Sequence, residues 1–262
     1  MMENLFLKSI DEFGIATITL NRAEIHNAFN DELIAGLTDC FIKMESDENV
    51  KIVVLTGNGK SFCAGADLNW MKKMIDYSEE ENISDSMNLA NLFHTINSFS
   101  KPVIGKINGA ALGGGSGLVA VCDHVIAHED AIFGFTETRL GIVPAVISPF
   151  VLRKIGESHG RTLFLSGRRF NATHAKEIGL VHQISLDRHF EKDVMDICKD
   201  FLKAAPGAQK VCKQMIYDVV NMTDVNEAKV YTCGVIAKRR VSDEGQDGMC
   251  SLLEKRKPMW VK

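Results

Sequence analysis

Two clusters of small residues, each directly behind an apolar run, are where this chain's backbone could do chemistry. One is Ala110-Ala111-Leu112-Gly113-Gly114-Gly115-Ser116-Gly117-Leu118, which follows the run Val103–Ile107 and the pair Asn108-Gly109. Glycine lets main-chain N–H groups approach a ligand closely, and a helix beginning there adds partial positive charge. The other is Ser61-Phe62-Cys63-Ala64-Gly65-Ala66-Asp67-Leu68, behind Ile52–Leu55 and the break Gly57-Asn58-Gly59. Two such turns can each offer one N–H to the same oxygen. A carbonyl that gains negative charge would sit between them, held by donors that need no side-chain ordering.

Familiar glycine motifs are excluded. No Lys-Ser or Lys-Thr follows, so this is not a phosphate loop; Leu118 stands where G-x-G-x-x-G and G-x-S-x-G would need glycine. Taken alone, the glycines also suit a tight strand-to-helix turn that serves packing only.

Apolar spacing outlines the elements that must carry these turns. Leu5–Leu7 and Ile15–Leu20 read as strands joined by a hairpin at Asp11–Gly14. Asn30 can cap a helix with Leu33, Ile34, Leu37, Phe41 and Met44 on its apolar face. Lys51–Thr56 reads as a buried strand, Ser61–Asp67 as a loop, and the polar, Met-rich stretch Leu68–Ser84 as mobile. Leu89–Phe99 looks helical, Val103–Ile107 is a strand, and Leu118–Cys122 continues a helix after the glycines. Short strands at His124–Ala127 and Ala131–Phe133 complete an α/β pattern. Helices follow at Pro149–Ile155, Gly160–Ser166 and Ala172–Ile178, with a brief strand at His182–Ile184. Longer ones span Phe190–Ala204, Pro206–Val220, Val225–Lys238 and Asp243–Lys255. We expect an α/β core over residues 1–200 and a C-terminal helical region over 201–262.

A chain of 262 residues can bury a large core. Its 34 acidic against 30 basic residues give a net charge of −4, which disfavours nucleic acid as the partner. No apolar run nears the ~20 residues of a membrane helix, and the start lacks a signal-peptide pattern. Seven widely spaced cysteines without CxxC suggest reduced thiols and a cytoplasmic protein. His124 and His128 lie on a predicted strand with no third ligand in view, so no metal is expected.

The segments Ser61–Leu68 (SFCAGADL), Lys101–Asp123 (KPVIGKINGAALGGGSGLVAVCD) and Phe133–Gly141 (FGFTETRLG) resemble the enoyl-CoA hydratase/isomerase, or crotonase, superfamily. Asn21-Arg22, Asn27-Ala28-Phe29-Asn30 and Glu254-Lys255-Arg256-Lys257 are similar to it as well, so the resemblance spans nearly the whole chain in order. It implies a spiral of ββα units with a C-terminal helical trimerisation region, in homotrimers that often pair into hexamers. It implies an acyl-CoA thioester substrate, with coenzyme A part of that substrate and no separate cofactor. By this likeness the N–H groups of Ala66 and Gly114 form an oxyanion hole, and Ala64, Gly65, Ala66, Asp67 and Leu68 line the path of the adenine and pantetheine. Arg22, His26 and Lys257 are candidate contacts for coenzyme A phosphates, the last from a neighbouring subunit; each also reads as an ordinary surface charge, as do Lys72 and Lys73.

Family hydratases commonly use two glutamates. Glu137 matches one, while Gly117 stands at the position of the other. The apolar residues around Glu137 would raise its pKa and suit it to proton transfer. Thr136–Ile142 resembles single-glutamate enoyl-CoA isomerases, whereas Gly113–Val119 with Ile142–Ser148 looks like a bacterial methylglutaconyl-CoA hydratase subgroup. The preferred reading is a hydratase, with room at Gly117 for a substrate carboxylate or branch. The alternatives are an isomerase and a non-catalytic acyl-CoA binder. Ser116 or Ser148 could orient water or serve structure alone; Met71, Met74 and Phe93 could line an acyl pocket or be plain core.

Overall fold

The computed structural model describes residues 5–261. β1 (Phe6–Ile10) and β2 (Ile15–Leu20) form the expected hairpin, with Asp11 Oδ1 accepting from the Phe13 and Ile15 N–H groups. β2 pairs in parallel with β3 (Ile52–Gly57), and the sheet continues through β5 (Val103–Ile107), β7 (His124–His128) and β10 (Gln183–Ser185), all parallel. Both faces are covered, as a parallel sheet requires. Alternate β3 residues divide between them: Val53 and Leu55 join the main core, and Ile52 and Val54 pack on the other face against Phe190, Val194 and Cys198. Helix α1 (Asp31–Glu45) supplies the main core with the five apolar residues its spacing marks, and Asn30 Oδ1 caps it by accepting from Leu33 N–H at 2.9 Å.

A second, small sheet holds β4 (Ser61–Cys63), β6 (Ala110–Leu112) and β8 (Ile132–Gly134), all parallel, with β9 (Arg169–Asn171) antiparallel to β8. From β3 to β8 each pass of the chain leaves one strand in the large sheet and the next in the small one before a helix returns. After β4 come α2 (Leu68–Ile75) and α3 (Glu79–Ser98), after β6 comes α4 (Gly114–Val121), and after β8 comes α5 (Ser148–Ser166). This is the ββα spiral.

The structure corrects three local expectations. Ser61–Cys63 is a strand, too short to show alternation, and β6 and β9 are hidden from sequence for the same reason. Leu68–Ser84 is helical rather than mobile: Asp67 caps α2, and Ser78 with Glu81 forms a capping box that starts α3 ten residues before Leu89. The helices expected at Pro149–Ile155 and Gly160–Ser166 run together as α5, broken at Gly156, where φ is +70°.

Helices α6 (Ala172–Glu177) and α7 (Phe190–Leu202) lead to α8 (Pro206–Asn221), α9 (Val225–Arg240) and α10 (Asp243–Leu253). Glu244 of α10 accepts from the Gly207 and Ala208 N–H groups, at 2.9 and 3.1 Å, and so caps α8 from outside it. Neither α8 nor α9 buries a residue within this chain. Among the described residues no helix is long and apolar enough to cross a membrane.

Candidate active site

Strands β4, β6 and β8 are parallel neighbours, so their C-terminal ends lie side by side. Each end opens into a segment singled out above: Ala64–Leu68, Gly113–Gly117 and the turn at Glu137. Parallel sheets of α/β proteins gather ligands at such ends.

The approach of the first two segments is main chain on main chain. A Cβ on Gly115 would lie 2.0 Å from the Cys63 carbonyl oxygen, and one on Gly65 would lie 3.1 Å from the Leu112 oxygen. Gly115→Ala must therefore push α4 off β4. We expect a loss of about 3 kcal/mol, or a fall in Tm of roughly 6–12 °C for a chain of this size, measured by thermal unfolding.

Phe29 spans both turns. Its N–H donates to Gly65 O at 2.7 Å and its carbonyl accepts from Asp67 N–H at 2.8 Å, a parallel bridge centred on Ala66. In that pairing the Ala66 N–H faces away from Phe29, and Ala66 is exposed. The Phe29 ring lies under Gly114, where a Cβ would be 3.0 Å from it. Gly114 begins α4, whose first-turn N–H groups lack partners within the helix and carry the positive end of its dipole.

Glu137 opens a short 3-10 turn, Glu137–Leu140, beyond β8. Its Oε1 is 3.2 Å from where a Gly113 Cβ would be, so the carboxyl stands at the mouth of the glycine turn. Its Oε2 is buried with no hydrogen-bond partner. Burial pushes the carboxyl above the ordinary glutamate range, against a smaller opposing pull from the residue's own backbone N–H. The turn is pinned from behind. Thr138 Oγ1 donates to Phe164 O at 2.7 Å and Arg139 Nε donates to Ser166 O at 3.3 Å, using carbonyls of the last turn of α5.

Residues 11–262 match the family described as enoyl-CoA hydratase/isomerase. The chain belongs to that family. A crystal structure of an enoyl-CoA hydratase from Shewanella pealeana superposes with a TM-score of 0.94 at 34% identity, covering 98% of this chain and 96% of that one. A candidate enoyl-CoA hydratase/isomerase (crotonase) from Legionella pneumophila gives 0.92 at 41% identity, over 98% and 99%. A Thermus thermophilus protein named as a candidate enoyl-CoA hydratase is 32% identical over 251 residues, 95% of this chain and 98% of its own length.

The remaining candidate residues of this family member divide. Arg22 is not a loose surface cation: one guanidinium nitrogen meets Asp67 Oδ2 at 2.6 Å and another the Ala28 carbonyl at 2.5 Å, with the two charged side chains only 12% and 9% exposed. Burial works to raise the Asp67 carboxyl, but the Asn69 N–H and the Arg22 guanidinium together hold it below the usual range. The pair therefore clamps the Ala64–Leu68 loop to the segment before α1. Arg22→Met leaves the Asp67 charge with one partner fewer. The expected cost is about 3–5 kcal/mol, read as a lower unfolding midpoint in urea.

His26 lies beside the same loop. Its Nδ1 is 3.0 Å from Ser61 Oγ, and its carbonyl accepts from Ala64 N–H. Asn27, fully buried, donates from Nδ2 to the Asn58 and Ser61 carbonyls and accepts from Arg22 N–H. Lys72 and Lys73 are exposed, and Lys73 lies 3.5 Å from Asp31. The structure does not gather Lys257 with these residues. It lies on a tail held to α10 through Arg256 and Met259 on Asp247, and to Lys203 through Trp260 Nε1.

At the glycines one expectation changes, and the open reading of the two serines falls to their structural role. A Cβ on Gly117 would lie 2.4 Å from Ile147 Cγ2 and 2.9 Å from Phe93 Cζ, so the room expected there for a substrate branch is already filled. Ser116 Oγ donates to Ala111 O at 2.7 Å and accepts from Gly134 N–H at 3.4 Å, and Ser148 donates to Ala145 O, so both hydroxyls serve the backbone. Phe93 is fully buried core, edge-on to Phe29, and Met74 packs partly buried against the same cluster. Burial drives the Cys63 thiol up to about 12, which removes it as a nucleophile. The wall formed by Ile147 escaped sequence reading, because residues 141–147 show no helical or strand period.

Proposed function

We propose that this chain is an enoyl-CoA hydratase in which a single carboxyl handles the proton. The carrying observation is the Glu137 carboxyl at Gly113, its Oε2 buried and unpaired, beside two convergent backbone turns. The Ala66 and Gly114 N–H groups hold the thioester oxygen of a 2-enoyl-CoA, and the Ala64–Leu68 loop, Arg22, His26 and a neighbouring subunit's Lys257 frame the coenzyme A. The Glu137 carboxylate takes a proton from water as the water oxygen bonds to C3. The C2=C3 electron pair moves into the thioester, whose oxygen becomes negative between the two amides. Glu137 then returns the proton to C2 as the oxyanion collapses. One water is added and the carboxylate is regenerated.

The filled space at Gly117 favours one rival, an isomerase that shifts a proton between carbons with one glutamate. Separate assays with 2-enoyl-CoA and 3-enoyl-CoA decide by product mass. A gain of one water from the 2-enoyl substrate supports the hydratase; conversion of the 3-enoyl substrate at unchanged mass alone supports the isomerase. Binding without turnover on either rejects both. The likeness of residues 113–119 and 142–148 to methylglutaconyl-CoA hydratases puts 3-methylglutaconyl-CoA in the panel.

Because burial raises the Glu137 carboxyl, hydration should have an acid limb above the ordinary glutamate value of about 4.3. The base form is active, so kcat/KM rises with pH through that limb and then levels; a limb at or below the ordinary value would contradict the role.

Helices α8–α10 expose Val230 (77%), Leu252 (80%) and Leu253 (82%), which fits a homotrimer or hexamer built through residues 201–262. Light scattering on the eluting protein should give three or six chains, and Val230→Glu with Leu253→Glu should lower that number.

A further inference from the structure

We propose that Ile147 is a specificity-determining residue: by filling the seat beside Gly117 it leaves Glu137, among the described residues, as the only group able to move a proton on the acyl chain. This deepens the functional reading above and rests on it. At the turn that enters α4, an added Cβ on Gly113 would lie 3.2 Å from the Glu137 carboxyl. Four residues on, inside α4, Gly117 looks onto Ile147 and Phe93, at 2.4 and 2.9 Å from an added Cβ.

Both wall residues are buried, Ile147 at 2% exposure and Phe93 at 0%. Their side chains offer no donor or acceptor, so a carboxyl or water seated there would give up hydrogen bonds without replacement. Ser116, the polar side chain between the two glycines, is turned back onto Ala111 and Gly134. Proton traffic is therefore closed at Gly117 and open at Gly113. Ile147 is held in place by its backbone: its carbonyl accepts from Phe150 N–H at 3.1 Å and Val151 N–H at 3.0 Å as α5 begins. Trimming its side chain removes the nearest wall atom, Cγ2, and leaves those bonds in place; the Phe93 ring tip, 2.9 Å from an added Cβ, then has the vacated space to turn into.

The test is transfer of the proton-handling role. Glu137→Gln is combined with Gly117→Glu, with and without Ile147→Ala, and turnover of a 2-enoyl-CoA is measured beside binding of a saturated acyl-CoA. The form keeping Ile147 stays at the Glu137→Gln level. The form with Ile147→Ala regains at least about tenfold, part of the roughly 10²–10⁴-fold that a placed acid–base group supplies. Equal rescue with Ile147 intact overturns the proposal, as does no rescue in a triple variant that still binds acyl-CoA.

Since Glu at position 117 could prevent folding, a second arm leaves Gly117 untouched. Formate is added to Glu137→Gln/Ile147→Ala and to Glu137→Gln alone. A rise confined to the former supports the proposal; an equal response in both, or none in either, overturns it. Wild-type turnover in Glu137→Gln itself would sink the functional reading, a result distinct from loss of the Ile147 effect alone.

Discussion

Glu137→Gln is expected to lower turnover by about 10²–10⁴-fold, the usual contribution of a positioned acid–base group, while acyl-CoA binding stays within a few-fold. The amide keeps the shape of the carboxyl and cannot cycle a proton. The same change should raise the unfolding midpoint at neutral pH. In the unfolded chain the carboxyl ionises near its ordinary value of about 4.3; in the folded protein burial holds it higher. Stability contributed by this group is thus greatest below the unfolded value and falls as pH rises through the folded one. Ionising the carboxyl in the folded protein puts charge beside a buried, unpaired oxygen, a cost that glutamine removes. Thermal unfolding of both forms at pH 4 and pH 7 should show an advantage for Gln at pH 7 that shrinks toward pH 4. Unchanged kcat would remove Glu137 from the chemistry.

Gly114→Pro is expected to cost about 100-fold in kcat, or roughly 3 kcal/mol of barrier, because it deletes one N–H from the thioester oxygen's holder. Proline suits the first position of a helix, but its ring must also displace Phe29, which would lie 3.0 Å from any Cβ at this position. Gly114→Ala separates the two effects, since it adds the same crowding and keeps the N–H. A large kcat gap between the two variants, both folded, assigns the loss to the amide. Equal kcat values would mean that Gly114 N–H does not act on the substrate.

Much of the frame was legible in sequence because it follows from local rules. The α1 face from Leu33 to Met44 and its Asn30 cap are spelled out by period and side-chain chemistry, and β3 by its unbroken apolar run. The three-residue strands of the small sheet were not, since Ser61–Cys63 and Ala110–Leu112 are too short to alternate and exist through their pairing with each other. The start of α3 was missed for a different reason: the Ser78–Glu81 capping box is a local signal, masked by a polar helix that buries only Leu92, Phe93 and Ile96. At the site, the two turns and Glu137 were marked by residue type and family likeness. That Arg22 is bound to Asp67, and that Ile147 sits on Gly117, are contacts across 45 and 30 positions that no local pattern encodes.

The small sheet has a consequence for how the protein comes into being. Its strands begin at Ser61 and end at Asn171, and each is stabilised by a segment tens of residues away. Loops of that span close slowly. A chain emerging during synthesis can complete α1 and the first hairpin early, yet the cleft stays unformed until β8 and β9 have docked. A substrate analogue should accordingly leave early intermediates untouched and slow only the global opening of the finished protein.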